Sequence, residues 1–242
     1  MSQYIFSRQE KLILDLVSPV AGESLLQVGC GTGNYLGLFR RQKCLLTGLD
    51  SSADALEQAR IKLGSSCELV QGNAASLPFS DNEFDIVMIM NGPRILDDPQ
   101  KVLAEAVRVS RNRVFVGFYN RHSFAGAGQS IRKLFDIQGA SAMRLFSIRE
   151  MKSVIHKAMA NPYLTWGSVI YFPGLVYKLF SEPEELFPMR KNPLGAFAGM
   201  AFPVRYTYRT LQNPIRDSLE LKAKARAPAP ESVRSMLREG DR

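Results

Sequence analysis

Between Leu25 and Val116 short runs of apolar residues alternate with stretches whose apolar positions recur every three or four residues. Alternation of this kind predicts stacked β-α-β units and a parallel sheet. LLQV (25–28) reads as a buried strand, Asn34 to Arg41 as a short helix, and CLLTGL (44–49) as the next strand. Ser51 or Ser52 then caps a helix with Ala55, Leu56, Ala59, Ile61 and Leu63 on its apolar face, ended by Gly64. CELVQ (67–71) is a third strand, and FDIVMIM (84–90) is a fourth, nearly continuous in apolar character as a strand covered on both faces should be. Pro99 opens a helix through Val102, Leu103, Ala106, Val107 and Val109, and RVFVGF (113–118) is the fifth strand.

Outside this stretch the periodicity is looser. Residues 7–17 form a helix candidate with Leu12, Ile13, Leu16 and Val17 on one face. Residues 119–146 hold two glycine-flanked stretches and a basic helix candidate, Ser130–Phe135, and read as an insertion. Ser147 starts a clearer helix with Glu150 in capping-box position. Two further β-like runs, LTWGSVIYF (164–172) and GAFAGMAFPVRYTY (195–208), are expected to pair as an antiparallel hairpin across a long excursion. From about Lys222 the composition leaves little to bury, which predicts a flexible tail.

Composition narrows the class. With 242 residues, 45% of them hydrophobic and 22% charged, the chain has the usual globular mix, and one embellished domain is the default. No stretch of eighteen uncharged apolar residues exists, and the opening MSQYIFSRQEK has no cationic region followed by an apolar run. The expectation is a cytoplasmic protein with neither membrane span nor signal peptide. Cys30, Cys44 and Cys67 form no C-x-x-C and have no histidine near by in sequence, which points to reduced packing residues and to no metal site. Charge is uneven: residues 1–120 hold 12 Lys+Arg and 13 Asp+Glu, a balance of −1, so the remaining 19 and 10 give residues 121–242 a balance of +9. The second half therefore suits an anionic ligand or surface, and the first half needs no positive field.

The stretch that carries chemistry is LLQVGCGTGNYL. A strand running into Gly29, Gly31 and Gly33 and then a helix allows a tight turn with bare backbone N–H groups for a ligand. Crowded packing at a strand-to-helix turn is the plain alternative. Asp50 ends the second strand, 17 residues past Gly33, where a carboxylate accepts hydrogen bonds from ribose hydroxyls, although Asp50-Ser-Ser also suits a helix cap. Together the two features point to a nucleoside-type ligand. A nicotinamide-dinucleotide fingerprint needs a third glycine where this chain has Asn34.

The G-x-G-x-G spacing, Asp50, QGNAASLPFSDNEFDIV and DDPQKVLAEAVRV strongly resemble the class I S-adenosylmethionine-dependent methyltransferases, particularly the small-molecule group typified by quinone- and biotin-pathway enzymes. The resemblance covers about residues 22–118 closely and extends more loosely to RLFSIREMKSVI and LGAFAGMAFPVR. It implies an α/β fold, a Rossmann-like seven-stranded, mostly parallel sheet with helices on both faces and an antiparallel last strand. It implies one methyltransferase domain over residues 1–214, with substrate-cap insertions at 119–150 and 173–194, and a C-terminal extension over 215–242. S-adenosyl-L-methionine is the implied cofactor. Gly29, Gly31 and Gly33 would flank its methionine and ribose portions, Asp50 would bind the ribose hydroxyls, Ser51 would lie against the adenine, and Asn73 and Ala74 would contact the base. Met90 and Asn91 would line the methionine end, and Gln27 is a further cofactor-binding candidate.

Three positions depart from the family. Gln27 and Asn73 stand where relatives usually carry carboxylates, which keeps an acceptor oxygen but removes charge. Arg94-Ile95 replaces a frequent histidine pair.

Methyl transfer needs alignment and exclusion of water, and a base only if the nucleophile arrives protonated. His122 and Tyr119, after the fifth strand, are the candidate bases. Trp166, Tyr171, Phe172, Tyr177 and Phe180 serve either as a lid over an apolar substrate or as ordinary packing. Cations such as Arg132 and Lys133 interleave with aromatics such as Phe124 and Phe135 in the cap segments, which suits an anionic, amphipathic acceptor or one drawn from a membrane surface. The expected activity is methyl transfer to an O, N or C atom of a small metabolite, the alternative being a non-catalytic binding or scaffold module with a weakened cofactor site. MNGPRIL after the fourth strand lacks the N-P-P-Y-like loop of many base methylating enzymes and argues against nucleic acid.

Overall fold

The computed structural model describes residues 2–90, 97–123, 144–159, 162–172 and 188–204. Helix α1 (Ser2–Val17) is followed by β1 (Ser24–Val28), α2 (Leu36–Arg41), β2 (Leu45–Asp50), α3 (Ala53–Leu63) and β3 (Cys67–Gln71). Then come β4 (Phe84–Met90), α4 (Pro99–Val109), β5 (Ser110–Tyr119), α5 (Ile148–Ala158), β6 (Thr165–Val169) and β7 (Phe197–Pro203). The strands make one sheet in the order β3-β2-β1-β4-β5-β7-β6. Neighbours pair in parallel except at β7, which runs antiparallel to both β5 and β6. This is the expected seven-stranded sheet with its last strand reversed, and the strand order turns at β1, from which β2 and β4 depart in opposite directions.

Both faces of the sheet are covered because its central strands are apolar at successive positions. Leu25, Ile86, Met88 and Phe115 pack with Leu12, Ile13 and Leu16 of α1 and Leu36 and Phe39 of α2. Leu26, Val87, Ile89 and Val116 face Leu103 and Ala106 of α4 and Met151 and Ile155 of α5. Each fully buried Leu, Ile or Phe contributes roughly 1.5–3 kcal/mol, so two such layers account for most of the driving force.

Helix starts follow their local signals. Ser52 Oγ accepts the Ala55 N–H at 3.2 Å, and Asp98 accepts the Lys101 N–H at 3.3 Å with Pro99 behind it. Ser147 and Glu150 form the full reciprocal capping box of α5. Some boundaries move. Helix α1 begins at Ser2 rather than near residue 7, because buried Arg8 and Gln9 interrupt its apolar face and hide the first turns from a periodicity count. Strand β5 begins at Ser110 because a register shift between Phe84 and Ile86 lets it pair earlier. Strand β6 stops at Val169, since Ile170 adopts a left-handed backbone with φ of 68°. Among the described residues no helix is long and apolar enough to cross a membrane. Ser130–Phe135, residues 173–187 of the second cap segment and the extension over 215–242 lie outside the described residues.

Candidate functional site

The turn after β1 is set by backbone that only glycine adopts readily. Gly29, Gly31 and Gly33 have φ of 71°, 52° and 75°. The Leu49 carbonyl at the end of β2 accepts the N–H groups of both Gly29 (2.8 Å) and Cys30 (3.0 Å), so the turn is tied to the neighbouring strand. Asp50 ties it again, since its Oδ2 accepts the Gly31 N–H at 2.8 Å and its Oδ1 accepts the Ser52 N–H at 2.9 Å. The Asp50 main-chain carbonyl also accepts the Gly72 N–H at 3.0 Å. Three loops at the carboxyl edge of the sheet thus converge on one residue. Each Asp50 carboxylate oxygen accepts one of these N–H groups and keeps a further lone pair for a ligand.

These loops enclose a cleft of about 250 Å³. Gly29 comes from the glycine turn, Leu49, Asp50 and Ser51 from the end of β2, and Gly72 through Ala75 from the turn after β3. Asp97, Asp98 and Val102, at the start of α4, complete it. The Asn73 turn is rigid, because Asn73 Oδ1 accepts the Ala75 N–H at 2.9 Å and the Asn73 carbonyl accepts the Ser76 N–H at 3.1 Å. Among the described residues the lining includes three carboxylates and no Lys or Arg.

The other predicted residues fall in different places. Gly31 has open space where a side chain would begin, whereas a Cβ on Gly33 would meet Leu63 Cδ1 at 2.8 Å, so Gly33 admits α3 close to the turn. Gln27 lies beneath the turn with only 1% of its surface exposed, and its Oε1 has no hydrogen-bond partner. Met90 is buried with its thioether over Gly117, and Asn91 lies outside the described residues. Tyr119 is buried, edge-on to Phe197 at 5.8 Å, and burial pushes its hydroxyl well above the usual range despite the Gln9 side chain beside it. It is therefore protonated at neutral pH. His122 is exposed on the turn after β5, its N–H donating to Asn120 Oδ1 at 3.1 Å. Cys30 is a packing group: burial, reinforced by Asp50, pushes its thiol up to about 12, and Gly48 leaves room for its sulfur.

The aromatic residues resolve toward packing where they are described. Trp166 lies under the Lys152 ammonium at 4.4 Å, and Tyr171 is buried with its hydroxyl donating to the Ser168 and Pro188 carbonyls. Arg144 and Arg121 pair with Glu150, and Arg190 with Asp15, so these cap-segment cations are held by structural ion pairs. Tyr177, Phe180, Arg132, Lys133, Phe124 and Phe135 lie outside the described residues.

Sequence reasoning did not single out Asp97, Asp98 and Val102. Their signal was present: an Asp-Pro helix start directly after a parallel strand places a helix N-terminus at the ligand edge of the sheet. It also passed over Gln9 of α1, which is buried and accepts the Tyr35 hydroxyl at 2.8 Å.

Residues 26–116 match the family model of the methyltransferase domain. The matched core is thus similar to methyltransferase domains. The demethylmenaquinone methyltransferase of Renibacterium salmoninarum is 34% identical over 104 residues, 43% of this chain and 44% of that one. The ubiquinone/menaquinone biosynthesis C-methyltransferase of Hahella chejuensis is 32% identical over 157 residues, 60% of this chain and 61% of that one. The chain thus spans about half the length of the curated relatives it matches. The crystal structure of an S-adenosylmethionine-dependent methyltransferase from Thermotoga maritima superposes with a TM-score of 0.61 at 22% identity, covering 81% of this chain and 89% of that chain, a likeness of fold.

Proposed function

We propose that the protein transfers a methyl group from S-adenosylmethionine to a carbon atom of a small acceptor of quinone-like, apolar or amphipathic character. The cofactor half of this reading rests on one observation, the cleft that presents Asp50, Asp97 and Asp98 with no Lys or Arg among its described lining residues. A negative cleft favours a ligand that carries a sulfonium cation and disfavours a pyrophosphate. The acceptor half is supported by the relatives named for quinone methylation.

The residues present fit the cofactor. In this reading Asp50 accepts the ribose hydroxyls with the lone pairs that Gly31 and Ser52 leave free, and Ser51, Asn73 and Ala74 border the base. The unpartnered Gln27 Oε1 accepts from the amino group of the methionine portion, which relieves the cost of an orphaned buried acceptor. When bound, the cofactor supplies a methyl group already activated for in-line displacement. The protein contributes alignment and a dry setting. Tyr119 is kept protonated, which leaves His122 as the candidate base for an acceptor that must lose a proton.

The test is a label-transfer assay with methyl-labelled cofactor, a short-chain demethylmenaquinone analogue and a metabolite extract. Label in an apolar product one methylene heavier than its precursor is the expected result. Transfer only to a water-soluble amine overturns the acceptor half, and failure to bind S-adenosylhomocysteine overturns the cofactor half. Stoichiometric binding without transfer to any acceptor favours the binding-module reading, which the amides at Gln27 and Asn73 support.

A further inference from the structure

Arg108, near the end of α4, donates all five of its guanidinium N–H groups. Its Nε donates to Glu105 Oε1 at 2.8 Å, and its Nη2 to Glu105 Oε2 at 2.8 Å and the Leu77 carbonyl at 3.1 Å. Its Nη1 donates to the Phe79 carbonyl and to Asp81 Oδ1, each at 2.8 Å. Glu105 Oε2 also accepts the Leu77 N–H at 2.8 Å. The segment so gripped, Leu77 to Asp81, continues directly from the turn that presents Asn73, Ala74 and Ala75 to the cleft. The same helix lines the cleft at its other end through Asp98 and Val102. An eleven-residue helix is about 16 Å of rigid rod. One element therefore supplies a wall of the cleft and holds the loop that carries another.

The grip is aimed at that loop and not at the core. Helix α4 docks on the sheet through Val102, Leu103, Ala106 and Val109, all of them buried, whereas four of the five N–H groups and their acceptors lie within Glu105 and the backbone of the loop. Only a planar fork can satisfy five acceptors at once, and a Lys ammonium has three donors on a single nitrogen. Loss of the fork leaves the helix seated and removes three hydrogen bonds from the loop, which keeps its apolar contacts through Leu77 and Phe79, the Leu77 N–H on Glu105 and the Asn82 N–H on the Arg108 carbonyl.

We propose that the Arg108–Glu105 pair is the positioning element of the base-binding wall, setting the spacing between the Asn73–Ala75 turn and α4 and thereby the affinity for the adenine portion of the cofactor. The proposal rests on the reading that this cleft holds the cofactor's adenosine. It predicts an effect confined to ligands that carry the base.

The test compares S-adenosylhomocysteine, adenosine and S-ribosylhomocysteine, which has the same ribose and homocysteine without adenine, by calorimetry and competition. In Arg108→Gln the dissociation constants of the first two should rise together by about tenfold, while that of S-ribosylhomocysteine stays unchanged. Arg108→Lys, which keeps the ion pair with Glu105, should rise by roughly threefold and serves if the glutamine variant does not fold. An equal loss for all three ligands shows general loosening and overturns the proposal, as does unchanged affinity for S-adenosylhomocysteine. Absence of S-adenosylhomocysteine binding in the unaltered protein overturns the cofactor reading and this proposal with it, so the two failures are told apart before any variant is made.

Discussion

In the proposed reading Asp50 recognises a ribose, but its carboxylate also holds the glycine turn. Because its carboxylate already accepts from Gly31 and Ser52, removing it loosens the glycine turn as well as the ligand contact. Asp50→Ala should weaken S-adenosylhomocysteine binding by about 1.5–3 kcal/mol, the usual loss for a hydrogen bond to a charged group, and should also lower the melting temperature. Asp50→Asn retains one acceptor oxygen and should lose less of both. Calorimetry alongside thermal melts checks this, and full affinity in the alanine variant would remove Asp50 from the site. The glycines separate function from packing in a similar way. A side chain at Gly31 meets no neighbouring atom, so Gly31→Val brings only the strain of its left-handed φ of 52° and should weaken binding with a smaller fall in melting temperature than at Gly33. At Gly33 the same change drives into Leu63 at 2.8 Å, so Gly33→Val should chiefly destabilise the fold. Equal melting temperatures for the two variants would contradict the assignment.

Helix α5 shows how an element can be essential to the fold yet silent at the cleft. Its capping box satisfies two orphan N–H groups, and its Met151 and Ile155 are buried in the layer shared with α4, but no residue of α5 lines the cleft. Ser147→Ala should therefore cost about 1 kcal/mol of stability, seen as a lower denaturation midpoint with an unchanged slope. Cofactor affinity should not change. A drop in affinity at constant slope would mean that α5 reaches the cleft through α4. Helix α4 is the contrasting element, since its two ends serve the site and its middle serves the core.

Two of the carboxylates with lowered pKa, Glu105 and Asp85, tie distant segments together. Hydrogen bonds from Arg108 hold Glu105 below its ordinary value of 4.5 against the opposing effect of burial, with help from the Leu77 N–H. Burial works to raise Asp85, but the Ser24 N–H and hydroxyl and the charges of Arg111 and Arg113 outweigh it and hold it below its ordinary value of 3.8. A depressed folded pKa contributes stability that is fully present above the unfolded value and is lost as pH falls through the folded one. The protein should thus lose stability progressively as pH drops below about 4.5. Glu105→Gln and Asp85→Asn should each lower stability at neutral pH and flatten this acid limb, as measured by denaturation midpoints at a series of pH values. An acid limb of unchanged steepness in both variants would place the responsible groups elsewhere.

Much of this could be read from residue order. The runs at 25–28, 44–49 and 84–90 are strands because a parallel sheet covered on both faces favours near-continuous apolar character, whereas 67–71, with Glu68 and Gln71 exposed, forms its edge. The glycine spacing and Asp50 were readable because a left-handed turn restricts the residue types allowed there. Arg108 was not readable, because the acceptors it grips at Leu77 and Phe79 are backbone carbonyls, which every residue has. The acidic wall at Asp97 and Asp98 looked like an ordinary helix start. Trp166 and Tyr171 carried equal claims to a lid and to packing until their neighbours were placed. A side chain's chemistry is local and shows in its identity, whereas its partner is chosen by strand order, which brings together segments some thirty residues apart. The motif therefore points to the kind of ligand, whereas the packing of α4 against the loop after β3 sets the shape of the cleft.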